Sequence, residues 1–203
     1  MDILKTEKSN PRGIPEAPFI DKVENFVKDV ETDFDKVMQA FQDRLQQYKY
    51  MEMSKRNQLN DLNVKIPDIE KNLDIINFIK QKKSAELDDE ISDEDENSQN
   101  IQANYELNDT LYTQAVIETE KLDSVYLWLG AEVMLEYPLD EAVELLNERL
   151  KNNNEQVAII KEDLVFLKEN ITTMEVNTAR LYNWDVERRR NSRVEDGTKN
   201  LKI

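Results

Sequence analysis

The sequence predicts a mainly α chain with a small β part: a long antiparallel two-helix coiled coil with two β-hairpins at the bend. Three observations predict it. An apolar repeat of seven residues runs without slippage from Val143 to Leu181, a helical pattern of the same period occupies Phe34 to Ile76, and the texture between them, from Asn104 to Pro138, changes to short β-rich runs. The first repeat reads Val143, Leu146, Leu150, Asn153, Val157, Ile160, Leu164, Leu167, Ile171, Met174, Thr178 and Leu181, ten of the twelve being apolar. Steps alternating between three and four average about 3.5 residues per turn, so the stripe stays aimed at a neighbour only if two helices supercoil. Two helical arms separated by a compact β block in one chain pair by folding back. The β block then sits at the bend and both termini at the far end.

In chain order, residues 1–17 hold Pro11, Gly13 and Pro15 among polar residues and predict a flexible or extended lead-in. The N-terminal coiled-coil helix is expected over 18–85. Phe34, Val37, Phe41, Tyr48 and Met51 keep one heptad frame, and Leu59, Leu62, Ile66, Ile69, Leu73 and Ile76 another. The frames join through Lys55 by a stutter that locally unwinds a left-handed supercoil. Pro67 lacks a backbone donor and predicts a kink near Ile66. An acidic linker is expected over 86–103. Its residues 86–96 carry Glu86, Asp88, Asp89, Glu90, Asp93, Glu94, Asp95 and Glu96 without one Lys or Arg, and such a block repels itself.

The two hairpins are expected over 104–138, with strands at Tyr105 to Leu107, Leu111 to Ile117, Val125 to Leu129 and Val133 to Tyr137, and a tight turn at Gly130-Ala131. In the third run Val125, Leu127 and Leu129 share one face and Tyr126 and Trp128 the other, so the strand asks for cover on both sides. Two hairpins cannot close a core alone, and their open edges invite copies or relatives of the same block. The assembly candidates are Tyr105, Leu107, Leu111, Val125, Leu127, Trp128, Leu129, Val133 and Leu135. The C-terminal coiled-coil helix is expected over 139–193. Pro138 precedes it, Asp140 and Glu141 complement the dipole at its start, and Arg188, Arg189, Arg190 and Arg193 complement its end. A flexible tail is expected over 194–203.

Composition removes several functions. The chain has no Cys and no His, so thiolate nucleophiles, imidazole bases, disulfides and the usual zinc ligands are excluded. Its net charge of −16 disfavours nucleic acid, whose binding depends on neutralising phosphates. Three isolated glycines supply no phosphate loop, and no cofactor is expected. Carboxylate pairs are plentiful, but acid–base work needs them held in a pocket, which helical arms do not offer; the chain is not expected to be an enzyme. No signal-peptide pattern and no apolar run of about 20 residues is visible, so a cytoplasmic or nuclear location is expected, with no membrane partner.

The far end of the coil is apolar beyond what one seam can hide. Phe19, Ile20, Val23, Phe26 and Val27 meet Leu181, Tyr182, Trp184 and Val186 there, and a cluster of this kind marks a contact surface. The bland alternative is that these side chains only lock the end of the coil. For the chain as a whole the alternative is a generic coiled-coil scaffold or tether, which accounts for the arms but not for a β block apolar on both faces.

The runs Arg12 to Ile20, Tyr105 to Tyr112, Leu127 to Pro138 and Ile171 to Asn177, continued by Ala179 to Val186, resemble the α-class subunits of eukaryotic prefoldin. The resemblance covers nearly the whole chain apart from the first ten residues and the acidic block. It implies a hexamer of two α-class and four β-class subunits, joined through their hairpins in a double β-barrel platform. It also implies capture of unfolded actin and tubulin chains at the arm tips without nucleotide, and delivery to the cytosolic chaperonin. Two hairpins per chain match the α class.

Overall fold

The computed structural model describes residues 8–25, 30–88 and 100–199. The chain comprises helix α1 (Val30–Asp88), strands β1 (Ile101–Asn108), β2 (Leu111–Ile117), β3 (Ser124–Gly130) and β4 (Val133–Pro138), and helix α2 (Leu139–Lys199), with short 3-10 turns at Val23–Asn25 and Thr119–Lys121. It divides into two compact units, residues 61–156 and residues 1–60 with 157–203.

All twelve seam positions of α2 are buried or half-buried, as are all the α1 heptad positions from Phe34 to Ile76, Lys55 included. In the unit of residues 1–60 and 157–203, Lys49 pairs with Glu175 at 2.8 Å and Lys55 with Asp163 at 3.0 Å, so rising numbers on α1 face falling numbers on α2. The helices are antiparallel there. Phe41, Val37 and Tyr48 pack in one cluster with Leu167, Met174 and Leu181. Phe41 is fully buried in it, and Phe41→Ala is expected to destabilise this unit by about 3 kcal/mol, the low end for a buried aromatic because the surrounding layer is thin. Amide exchange checks this: protection should fall across residues 30–60 and 157–185.

In the unit of residues 61–156, Leu73, Ile76 and Ile79 of α1 and Leu139, Ala142 and Leu146 of α2 form the core, and Ile101, Val125, Leu127 and Tyr137 of the hairpins pack onto it. Lys80 reaches Asp140 at 2.5 Å and Lys83 pairs with Asp123, tying α1 to the start of α2 and the loop before β3. The sheets are two separate antiparallel pairs, β1 with β2 and β3 with β4. Val125 lies opposite Tyr137 and Leu127 opposite Leu135, while Tyr126 faces Glu136 and Trp128 faces Met134 on the other face. The tight turn falls one residue later than expected. Gly130 closes β3 at φ 94, and the two loop residues are Ala131 and Glu132 at φ 49 and 59. Positive φ at both loop positions matches the right-handed twist of the flanking strands.

Four boundaries differ from the sequence expectation. The first strand begins at Ile101, inside the expected linker, because Ile101 and Ala103 alternate inward and pair with Ile117 and Ala115. Helix α1 ends at Asp88 in place of residue 85, running on through the exposed Pro67, where a kink and not a stop is expected; the acidic block from residue 89 lies outside the described residues. Helix α2 continues to Lys199 in place of a tail from 194, since no Pro or Gly stands between Leu139 and Asp196 to stop it.

The fourth difference is the largest. The helix expected from residue 18 starts at Val30, and the expected flexible lead-in is, from Lys8 to Ile20, a turn followed by an extended strap with Ile14, Ala17 and Ile20 buried. Asn10-Pro11-Arg12-Gly13 forms the turn. The Gly13 amide donates to the Asn10 carbonyl at 3.0 Å, Pro11 presets the second position, and Gly13 takes the left-handed φ of 82 that lets the Asn10 amide reach the Ile14 carbonyl at 2.9 Å. Helix is denied to residues 18–20 because their backbone groups are engaged by α2.

Candidate functional site

The strap is held by a polar ladder on α2. Asp163, Asn170 and Asn177 recur every seven residues, all three buried. They stand beside the apolar seam, each one position before a seam residue. Asn170 Oδ1 accepts the Ala17 amide N–H. Asn177 Oδ1 accepts the Ile20 amide at 3.1 Å, and its Nδ2 donates to the Pro18 carbonyl at 2.6 Å. Arg180 donates to the Ile20 carbonyl at 2.8 Å and lies over the Phe19 ring at 4.6 Å. From α1, the Tyr48 hydroxyl donates to the Pro15 carbonyl at 2.9 Å. Burial raises the Tyr48 phenol above its ordinary value, so the donor stays protonated at neutral pH.

Asp163 is the charged rung. Its Oδ1 accepts Asn10 Nδ2 at 2.9 Å and Arg12 Nε at 2.5 Å, and Lys55 Nζ stands 3.0 Å from Oδ2. Arg12 also reaches Glu162 at 3.1 Å. Asn10 passes the connection on, because its own Oδ1 accepts the Ile14 amide at 2.8 Å and the Arg12 amide at 3.0 Å. Burial alone would raise the Asp163 carboxyl, but the hydrogen bonds from Arg12 and Lys55 outweigh it and hold the group below its ordinary value. The hydrogen bonds that Arg12 donates to Asp163 and Glu162 raise the guanidinium in turn, against its partial burial.

The nine residues proposed from sequence as a contact cluster do not share one environment. Ile20, Val23 and Leu181 are buried. Their apolar character goes into closing the unit, the bland alternative, since a strap and two helices cover more area than a two-helix seam. Phe19, Tyr182 and Val186 are exposed, at 55%, 61% and 48%. Tyr182 and Val186 line an open apolar groove of about 620 Å³ together with Phe34, Met38 and Leu45. Trp184 is half-buried and donates its indole N–H to Glu24 at 3.1 Å. Phe26 and Val27 lie outside the described residues. In the basic cluster Arg188 and Arg189 each pair with Asp185 at 2.8 Å.

Of the assembly candidates, Val125 and Leu127 pack on the core, Leu129 is half-buried, and Tyr105, Leu107, Leu111, Trp128, Val133 and Leu135 are exposed in the single chain. Tyr126, Tyr112 and Val116 add to the exposed apolar strand surface. Two hairpins thus carry an apolar layer left exposed among the described residues. Among the described residues no group of three or more carboxylates is placed to hold a metal ion, and no helix is long and apolar enough to cross a membrane.

Residues 48–184 match the family described as prefoldin subunit. The chain is 48% identical over its full length to the full-length prefoldin subunit 3 of Saccharomyces cerevisiae. It is 38% identical to prefoldin subunit 3 of Homo sapiens over 93% of this chain and 87% of that one. Among solved structures, a chain of filamentous PFD from Methanocaldococcus jannaschii is similar at a TM-score of 0.46 and 13% identity, covering 67% of this chain and 98% of that one.

Proposed function

The chain belongs to the prefoldin family, a family of co-chaperone subunits and not of enzymes, and from that premise we propose that it is an α-class subunit of a hexamer of two α-class and four β-class chains. The hexamer captures unfolded polypeptides of the actin and tubulin type without ATP and passes them to the cytosolic chaperonin, in the cytoplasm or the nucleus. The observation that carries the assembly half is the uncovered apolar layer on both hairpins, where Trp128 is 57% and Tyr126 65% exposed. Strand edges and apolar faces left open in one chain are completed by neighbours of the same kind. Reconstitution with the other prefoldin subunits tests it: a defined mixed hexamer is expected, whereas a simple dimer of this chain alone would favour a tether.

Client capture rests on Phe19, Tyr182 and Val186, the exposed members of the apolar cluster. Each contact is weak, and linkage of several subunits raises the effective concentration of the rest. Changing all three to Ser should lower the stability of the chain by no more than about 1.5 kcal/mol, about 0.5 for each exposed position, the loss of the Arg180 contact with Phe19 included. Suppression of aggregation of a denatured client by the reconstituted hexamer should fall severalfold. If melting changes and suppression does not, these side chains only close the coil.

A further inference from the structure

The strap and α2 keep a three-to-seven register. The amides of Ile14, Ala17 and Ile20, three residues apart, are taken in turn by Asn10 anchored on Asp163, by Asn170 and by Asn177, seven residues apart, and the same three side chains are buried. Three residues of extended chain cover about 9 to 10 Å, and seven residues of helix about 10.5 Å, so the repeats match and the strap runs parallel to α2. Beyond the turn, every hydrogen bond described above from Tyr48, Asn170, Asn177 and Arg180 goes to strap backbone, which any sequence supplies. The buried rungs ask for small or aliphatic groups at every third position; between them Pro15 and Pro18 are half-buried, Glu16 is exposed, and Phe19, also exposed, lies under Arg180.

We propose that this groove is a receptor for extended polypeptide, and that the strap is its resident competitor. The partner it fits is a non-native segment with small or aliphatic residues at a spacing of three, entering in the strap's place with its backbone on Asn170 and Asn177. The choice of partner rests on the capture function proposed above; the groove itself does not.

The test uses the full chain and a fluorescent peptide of the strap sequence from Ser9 to Lys22. The double variant I14D/I20D ejects the strap and leaves the ladder whole. It should bind the peptide at least 10-fold more tightly than the parent, whose own strap competes at an effective concentration in the millimolar range. Adding N170A/N177A should remove that gain. An unrelated peptide with Ile, Ala and Ile at a spacing of three should bind within about 10-fold of the strap peptide, and its scrambled form should not. On the unaltered chain, millimolar unlabelled peptide should speed amide exchange at the chain's own Ile14, Ala17 and Ile20, a readout that needs no variant to fold. No acceleration there, no binding by an opened variant that keeps its helicity, or a parent chain that dimerises by exchanging straps would each overturn the proposal. Neither companion subunits nor client are present, so failure here leaves the proposed hexamer and its capture function untouched.

Discussion

Replacing Tyr126 and Trp128 together by Ser is expected to weaken assembly with the other prefoldin subunits by 100-fold or more, while the far-UV spectrum of the chain stays helical. Both side chains stand on the face of β3 turned away from the core on which Val125 and Leu127 pack. They are 65% and 57% exposed, so the single chain loses little when they shrink. An aromatic anchor at the centre of an interface commonly contributes about 2 kcal/mol or more, and two such losses exceed the roughly 2.7 kcal/mol that corresponds to 100-fold. The opposite face provides the control. Leu127→Ala removes a side chain packed on the Leu73, Ile76 and Leu139 core and should lower the melting of residues 61–156 before it touches assembly. Native mass measurement of the mixture separates the two effects. An intact hexamer from the Tyr126 and Trp128 double variant would mean that these strands are not the joining surface.

What the sequence made legible was what its periods encode. The seam from Val143 to Leu181 and both α1 frames could be read because burial of a helix face repeats at a fixed step, and the stutter at Lys55 fell where the structure places a half-buried residue. The strands were legible from alternation, and their faces from the same alternation. The strap was not. Asn10-Pro11-Arg12-Gly13 and the prolines that follow have the composition of a loose terminus, and only the spacing of Ile14, Ala17 and Ile20 distinguishes them from one. The ladder escaped for a related reason. Polar residues flanking a coiled-coil seam normally face water, so Asp163, Asn170 and Asn177 look like ordinary surface until their seven-residue recurrence is set beside the apolar repeat. Two weak periods, three and seven, become informative only when the fold lays one along the other. The apolar cluster at Phe19 to Val186 was overcounted because sequence shows which residues are greasy and not how many elements share them. A third element, the strap, absorbs Ile20 and covers Leu181.

Asp163→Ala is expected to detach the turn at Asn10–Gly13 and cost about 2 to 3 kcal/mol, below the 3 to 5 of a fully enclosed pair because Arg12 and Lys55 each remain 29% exposed and can be rehydrated. The carboxylate has no exposed side-chain surface and serves Asn10, Arg12 and Lys55 at once, so its loss leaves two cations and one amide without their shared acceptor. The same group makes the strap sensitive to acid. Its folded value lies below the ordinary 3.8, so the stability it supplies is fully present above that value and is lost as pH falls through the folded value. Strap amide protection at Ile14 and Ala17 should therefore be level from neutral pH down to about 4 and collapse below it. Glu162, also paired with Arg12, is 71% exposed and contributes little to this loss. In Asp163→Asn the amide keeps the shape and one acceptor but carries no charge, so protection should start lower and stay flat across the same range. A parent chain that loses protection already near pH 6, or an Asn variant with the parent's acid profile, would show that another group controls the strap.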